Sequence, residues 1–314
     1  MMSVYITKNG KLSSNGKTLM FVSEDGEKRK FPIESLRDIF IIGKVSFSSW
    51  TIDLCLKKGV PVHFYSVGYI GSLTPQGRSS ASGSTIIKQV EAFQDKYRRC
   101  DIANEIVRGI QANMKYILRR SFGGASILSL KISFNNIKSL MACEAELWKR
   151  FYSVVFRHLD PSVTRRTKKP PKDWLNAAVS YMNSILYGMT LTECQFTSLS
   201  PEISYLHEPG SRRPSLVLDI ADIFKPVTTF KTLISMVKSK KLSPNDFEIR
   251  DGGVFLSKTG KRKVIIEFKS RMTEPMLVPQ MRGHYSMRAV IKREFQKLQT
   301  AITLNLKYRS FKMR

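Results

Sequence analysis

Residues 74–85 read TPQGRSSASGST, a run of small and polar side chains with almost nothing to bury. Such a segment adds little to a core, and its Ser and Gly content lets the chain change direction freely, so it reads as a linker or surface loop. The texture of the chain changes across it. Upstream, the short β-branched and aromatic runs VYI, TLMFVS, DIFIIG and VPVHFY alternate with turn signals such as SNGK and EDGE, which is the pattern of strands in a small sheet domain. One helix is expected there, at SSWTIDLCLKKG (48–59), where Trp50, Leu54 and Leu56 recur near helical spacing and Gly59 ends the run. Downstream, DKYRRCDIANEIVRGIQANMKYILRR (95–120) and NIKSLMACEAELWKRFYSVVFRHL (136–159) carry apolar residues at helical intervals.

The expected fold class is therefore α+β: a β-rich, sandwich-like domain over 1–76, a linker over 77–86, and a larger, mainly α-helical domain over 87–314. Two segments interrupt the helices. LDPSVTRRTKKPPKDW (159–174) is excluded from helix by its prolines, and its Arg165, Arg166, Lys168 and Lys169 suit either a solvated loop or one facing a phosphate backbone. DFEIRDGGVFLSKTGKRKVIIEF (246–268) places Asp251-Gly252-Gly253 between alternating residues and reads as a β-hairpin.

The chain has 314 residues, 42% of them apolar, enough for a sizeable core. Its 52 Lys+Arg against 25 Asp+Glu leave a net charge of +27, which repels itself in a compact fold unless a polyanion lies against it. Nucleic acid is the leading partner on that ground, and an anionic membrane surface the second. No apolar run reaches spanning length, and MMSVYITKNGK is too polar for a signal peptide. Cys55, Cys100, Cys143 and Cys194 are scattered without a CxxC pair, which argues against a zinc site and fits a reducing cytoplasm.

The chemistry concentrates in SYLHEPGSRRPSLVLDIADIFKP (204–226). Taken as a helix starting at Pro214 or Ser215 and stopped by Pro226, the run leaves only one polar stripe: Ser215, Asp219 and Asp222, spaced four and three apart. Two anions on a mostly buried helix repel each other and need a cation, either an arginine such as Arg212 or Arg213 or a metal ion. His207 reads equally as a ligand or as a hydrogen-bonded core histidine. On the 137–158 helix, Glu144 falls in the apolar stripe with Leu140, Leu147 and Phe151, whereas Glu146 lies off it, four residues before Arg150, as a surface pair. Two or three inward carboxylates and an imidazole form an oxygen and nitrogen donor set suited to Mg²⁺ or Mn²⁺. In so basic a chain the substrate of such a centre is a phosphodiester.

LMACEAELWKRFY, DWLNAAVSYMNSILYG and SLSPEISYLHEPGSRRPSLVLDIADIFKP, in that order, resemble the CRISPR-associated integrase, the first-numbered Cas protein, and PIESLRDIFIIGKVSFSSWTIDLCLKKGVPVHFYSVGYIGSLTP resembles its N-terminal domain. The resemblance spans nearly the whole chain. It implies that Glu144, His207 and Asp222 bind the catalytic Mg²⁺ or Mn²⁺, with Asp219 an auxiliary ligand or a supporting group. Lys225 falls where the family has a basic residue meeting DNA; Arg212 and Arg213 are expected to join it. Ser198 and Ser204 stand where the family has glycine, Ser200 where it has aspartate, and Ala145 where it has another glycine. The implied activity is insertion of spacer DNA into a CRISPR array by transesterification, with double-stranded and branched DNA as substrates. The implied assembly is a homodimer with the small ferredoxin-like second-numbered Cas protein. The alternative is a catalytically inactive, DNA-binding architectural subunit of the same complex; a small-molecule phosphoesterase would leave +27 unexplained.

Overall fold

The structure, a computed structural model, describes every residue except 67, 76–82, 211–213, 279–280 and 314. The chain divides into two compact units, Met1–Ser80 and Ala81–Arg314.

The first unit holds two four-stranded sheets. One contains β1 (Met2–Ile6), β5 (Leu36–Ile41), β7 (Val62–Tyr65) and β8 (Tyr69–Leu73) in that order, the first three parallel and the last pair antiparallel. The other runs β4 (Lys28–Pro32), β3 (Thr18–Ser23), β2 (Gly10–Asn15), β6 (Val45–Phe47). Side chains alternate across a strand, so Val4 and Ile6, Ile39 and Ile41, and Leu19 and Phe21 each point one way. All of them meet in one shared core with Leu12 and Val62, the sandwich-like arrangement expected. The one α-helix among the described residues of this unit, α1 (Ser49–Lys57), is capped by Ser48 and ends before Gly59 at φ +66, a left-handed position that glycine adopts without a Cβ penalty. It buries Thr51 and Cys55 rather than Trp50, which is 77% exposed. Of the three residues whose spacing placed the helix, Leu54 packs against this core.

The second unit is a helical assembly. Its helices are α2 (Gly83–Gln94), α3 (Lys96–Phe122), α4 (Ile137–Leu159), α5 (Trp174–Cys194), α6 (Ser215–Phe224), α7 (Lys231–Lys238), α8 (Lys258–Thr273) and α9 (Met287–Thr303). Starts follow the sequence: Asp95, Asn136, Asp173, Ser257 and Ser286 each accept a hydrogen bond from a first-turn N–H. α5 is buried almost all round, and α6 packs against α3, α5 and α9.

Several expectations need correction. The linker is shorter than 77–86, because α2 already begins at Gly83; positions 77–82 lie outside the described residues. The hairpin ends at Leu256, with β9 (Phe247–Arg250) and β10 (Gly253–Leu256); 258–268 is helix, started by the Ser257 cap. A second hairpin, β11 (Pro275–Val278) and β12 (Gly283–Ser286), was not expected from the sequence. Nor does Pro226 stop the helical path: Pro226–Phe230 forms a π turn, closed by Phe230 N–H donating to the Lys225 carbonyl at 3.1 Å, and leads into α7.

Candidate active site

Three segments of the helical unit supply the site: α4 carries Glu144, α6 carries Asp219 and Asp222, and the loop before α6 carries His207. Several side chains far away in sequence hold this loop. Buried Gln89 donates from Nε2 to the carbonyls of Ser200 and Ile203, each at 2.9 Å, and accepts from Ser200 N–H at 2.9 Å. Arg99 donates to the Tyr205 carbonyl at 3.0 Å and pairs with Glu208 at 2.7 Å. Gln299 accepts from Ser198 N–H at 3.0 Å. Two serines of this loop add bonds of their own: Ser204 Oγ donates to the His207 carbonyl at 2.7 Å, and Ser200 Oγ to Glu202 at 2.9 Å.

Asp219 is fully buried, and its two oxygens accept four N–H groups. Oδ2 takes the amides of Tyr205 and Leu206, both at 2.9 Å; Oδ1 takes the amide of His207 at 3.2 Å and its Nδ1 at 2.7 Å. That is how a buried carboxylate is accommodated. Asp219 therefore serves as the support of His207, orienting the ring and leaving Nε2 as its other nitrogen. The Asp219 hydrogen bond lifts the imidazole to about 9, against burial, with the charges of Asp222 and Glu144 adding to it.

Asp222 is buried and forms an ion pair with Lys225, one turn on. Among the described residues, Lys225 is the cation that the neighbouring anions demanded; Arg212 and Arg213 lie outside the described residues. Burial alone would pull Lys225 down, but the Asp222 carboxylate holds its pKa above the ordinary lysine range. The ammonium lies 5.5 Å from the ring centre of Trp148 and 5.1 Å from that of Tyr187, within cation–π range.

Glu144 is half-buried rather than interior. Burial and the Asp222 carboxylate push it up to about 7, while His207, Lys225 and a hydrogen bond from Trp148 pull it back. Glu144, His207, Asp222 and Lys225 thus act on one another electrostatically. Glu146 pairs with Arg150 at 2.7 Å on the outside of α4, as its position off the stripe indicated.

Of the basic loop, Arg165, Lys168 and Lys169 are exposed. Lys168 is close enough to sense the site: burial, then Lys225 and Arg166, lower its pKa, and Asp222 and Glu144 oppose them. Arg166 was expected to face DNA but is turned inward, donating to Asn176 Oδ1 at 2.8 Å and Ser180 Oγ at 2.7 Å. Its guanidinium holds the loop to α5. Among residues not foreseen, Trp148 could have been found, since it is one turn from Glu144. Gln89, Arg99 and Gln299 carried no local signal.

The family profile described as CRISPR associated protein Cas1 matches residues 4–270. The chain belongs to the Cas1 family. A CRISPR-associated endonuclease Cas1 from Nanoarchaeum equitans is 33% identical over 100% of this chain and 99% of its own. The structure of a Cas1 protein from Thermotoga maritima superposes with a TM-score of 0.88 at 28% identity, covering 99% of this chain and all of that one. A casposase bound to an integration product shares the fold, with a TM-score of 0.84 at 17% identity over 99% of this chain and 93% of that one. The described residues contain no helix long and apolar enough to cross a membrane.

The donor set suits a hard divalent cation: two neighbouring carboxylates and an imidazole whose other nitrogen is already tied to a buried aspartate. Among the described residues, no three such side chains lie close enough to grip an ion as they stand. Lys225 meets the need for positive charge at Asp222.

Proposed function

We propose that this Cas1-family protein is a divalent-metal-dependent DNA endonuclease and integrase that joins spacer DNA to a CRISPR array by transesterification. The observation that carries the reading is that Glu144, Asp222 and an Asp219-held His207, from three separate segments, are near enough to act on one another electrostatically. Glu144, His207 and Asp222 are the residues that would hold Mg²⁺ or Mn²⁺. When bound, the ion supplies the charge that developing phosphate oxygens need and makes the attacking hydroxyl more acidic.

The protein's own groups do the rest. Asp219 keeps the Nδ1 proton of His207 in place, so that Nε2 is the atom free to bind or exchange a proton. Lys225 is the buried cation that would meet a phosphate oxygen once Asp222 turned to the ion, and its ammonium lies over the rings of Trp148 and Tyr187. Exposed Arg165, Lys168 and Lys169 take backbone phosphates, fixing DNA without reading its sequence. The net charge of +27 supports a polyanionic substrate. The working assembly in this reading is a homodimer with the second-numbered Cas protein.

The test is incubation of the protein with branched DNA and Mg²⁺ or Mn²⁺, with and without chelator. Cutting and joining should appear only with metal. DNA binding with neither product would return the architectural-subunit reading.

A further inference from the structure

Residues 304–313 lie beyond the matched family region, 4–270; the first four are exposed, but from Tyr308 on the segment is bound into the helical unit. Tyr308, Ser310 and Phe311 are buried. The Phe311 amide donates to Glu294 Oε1 at 3.0 Å, and the Tyr308 hydroxyl hydrogen-bonds the same oxygen. Ser310 Oγ donates to the Glu105 carbonyl at 2.6 Å, while Arg309 and Lys312 pair with the Glu105 carboxylate at 3.3 and 3.4 Å. Gly109 on α3 allows this approach: a Cβ there would lie 2.6 Å from Ser310 Oγ.

The segment reaches the end of α6, just past Asp222. Because Pro226 has no N–H and the helix opens into a π turn, the last carbonyls of α6 need donors from elsewhere. Thr228 Oγ1 serves Phe224 at 2.7 Å, and Asn113 Nδ2 serves Ile223 at 2.8 Å. Asn113 is fully buried on α3, and its other bonds go to the 304–313 segment: Nδ2 to the Phe311 carbonyl at 3.3 Å, and Oδ1 from Met313 N–H at 2.7 Å. Beside it, the Phe311 ring stacks on Phe224, centroids 5.3 Å apart and planes 15° from parallel. One amide therefore ties three pieces together: α3, the 304–313 strap, and the end of α6 that carries Asp222.

We infer that the 304–313 strap sets the position of the α6 terminus through Asn113 and Phe311, making these two residues positioning residues for the reaction at Asp222. The inference rests on the reading of this site as a DNA-cutting and DNA-joining centre. A conformational error of one ångström at a reacting centre is enough to cost on the order of 100-fold in rate, so a brace that touches neither substrate nor metal can still govern turnover.

The test uses Asn113→Ala, Phe311→Leu and the double variant of the whole 314-residue chain; Phe311→Leu keeps most of the ring's volume and tests the same brace if Asn113→Ala folds poorly. Turnover at saturating branched DNA and Mn²⁺ is measured per folded molecule, DNA affinity is measured without metal, and amide hydrogen exchange is followed along the chain. Asn113→Ala should lower turnover at least about tenfold, leave DNA affinity within about twofold, and speed exchange in 219–224 while the middle of α5 holds. The double variant should lose less than the product of the single losses, because both act through α6. Lower melting temperatures with wild-type turnover per folded molecule would overturn the inference, as would a parallel loss of DNA affinity. A wild-type protein that neither cuts nor joins would overturn the functional reading, and this inference with it; an active wild type with unaffected variants overturns the inference alone.

Discussion

Asp219 and Asp222 sit one turn apart on α6 with opposite surroundings. Four N–H groups converge on Asp219, so Asp219→Asn turns an NH₂ group toward donors. It should destabilise the protein by about 3 kcal/mol and abolish activity by freeing His207, which a melting curve and the cutting assay would show together. Asp222→Asn removes charge instead. Metal-dependent cutting and joining should fall by orders of magnitude while DNA binding survives. From the sequence, losing one of two anions should relieve repulsion and cost little stability. The structure changes that expectation, since Lys225 loses its partner; denaturant unfolding should show a loss of about 1–3 kcal/mol, below the 3–5 of an isolated buried pair because Glu144 remains nearby. Glu146→Gln, beside Arg150 on the outside, should leave both activity and stability near wild type. Position within an apolar stripe was sufficient to separate Glu144 from Glu146. It could not distinguish the roles of Asp219 and Asp222 on α6, because both aspartates share one polar stripe and differ only in what lies across from them.

At the scale of elements, the strap makes its own prediction. Burial pushes the Glu105 carboxyl up, but Lys312, Arg108 and the Ser310 amide outweigh it and hold the pKa below the ordinary value. A depressed folded pKa means that this stability is present above the unfolded value, about 4.3, and is lost as pH falls through the folded one. Melting temperature should therefore drop on acidification below about pH 4, and Glu105→Gln should flatten that part of the profile at the cost of lower stability at neutral pH. The elements themselves were largely readable. Helix starts follow caps such as Asn136 and Asp173, whose side chains satisfy first-turn amides within the same few residues. Helix ends were less readable: the chain passes Pro226 because Asn113 and Thr228 supply donors, and the first of these is more than a hundred residues away.

For the whole molecule, the charge of +27 predicts steep salt dependence. DNA affinity should fall linearly on logarithmic axes. Replacing Arg165, Lys168 and Lys169 by alanine should reduce the slope by roughly 2–3, about 0.9 for each phosphate no longer neutralised, with little change in sequence preference. Arg166→Ala should instead lower stability, since its guanidinium is committed to Asn176 and Ser180. A slope unchanged by the triple substitution would move the DNA path elsewhere on the surface.

By itself the sequence determined the two-part α+β architecture and the helices that carry the site, and it nominated Glu144, His207 and Asp222 as the residues to test for chemistry. All of that depends on short-range regularities: period two in the strands, period 3.6 in the helices, caps at their ends, and motifs read in order. Only the tertiary structure decided that Asp219 supports His207, that Lys225 is the cation on Asp222, that Arg166 faces inward, and that Gln89 and Asn113 hold loop and helix in place. Those outcomes depend on which buried donor meets which buried acceptor, and such partners are chosen by packing across the core, where distance along the chain carries no signal.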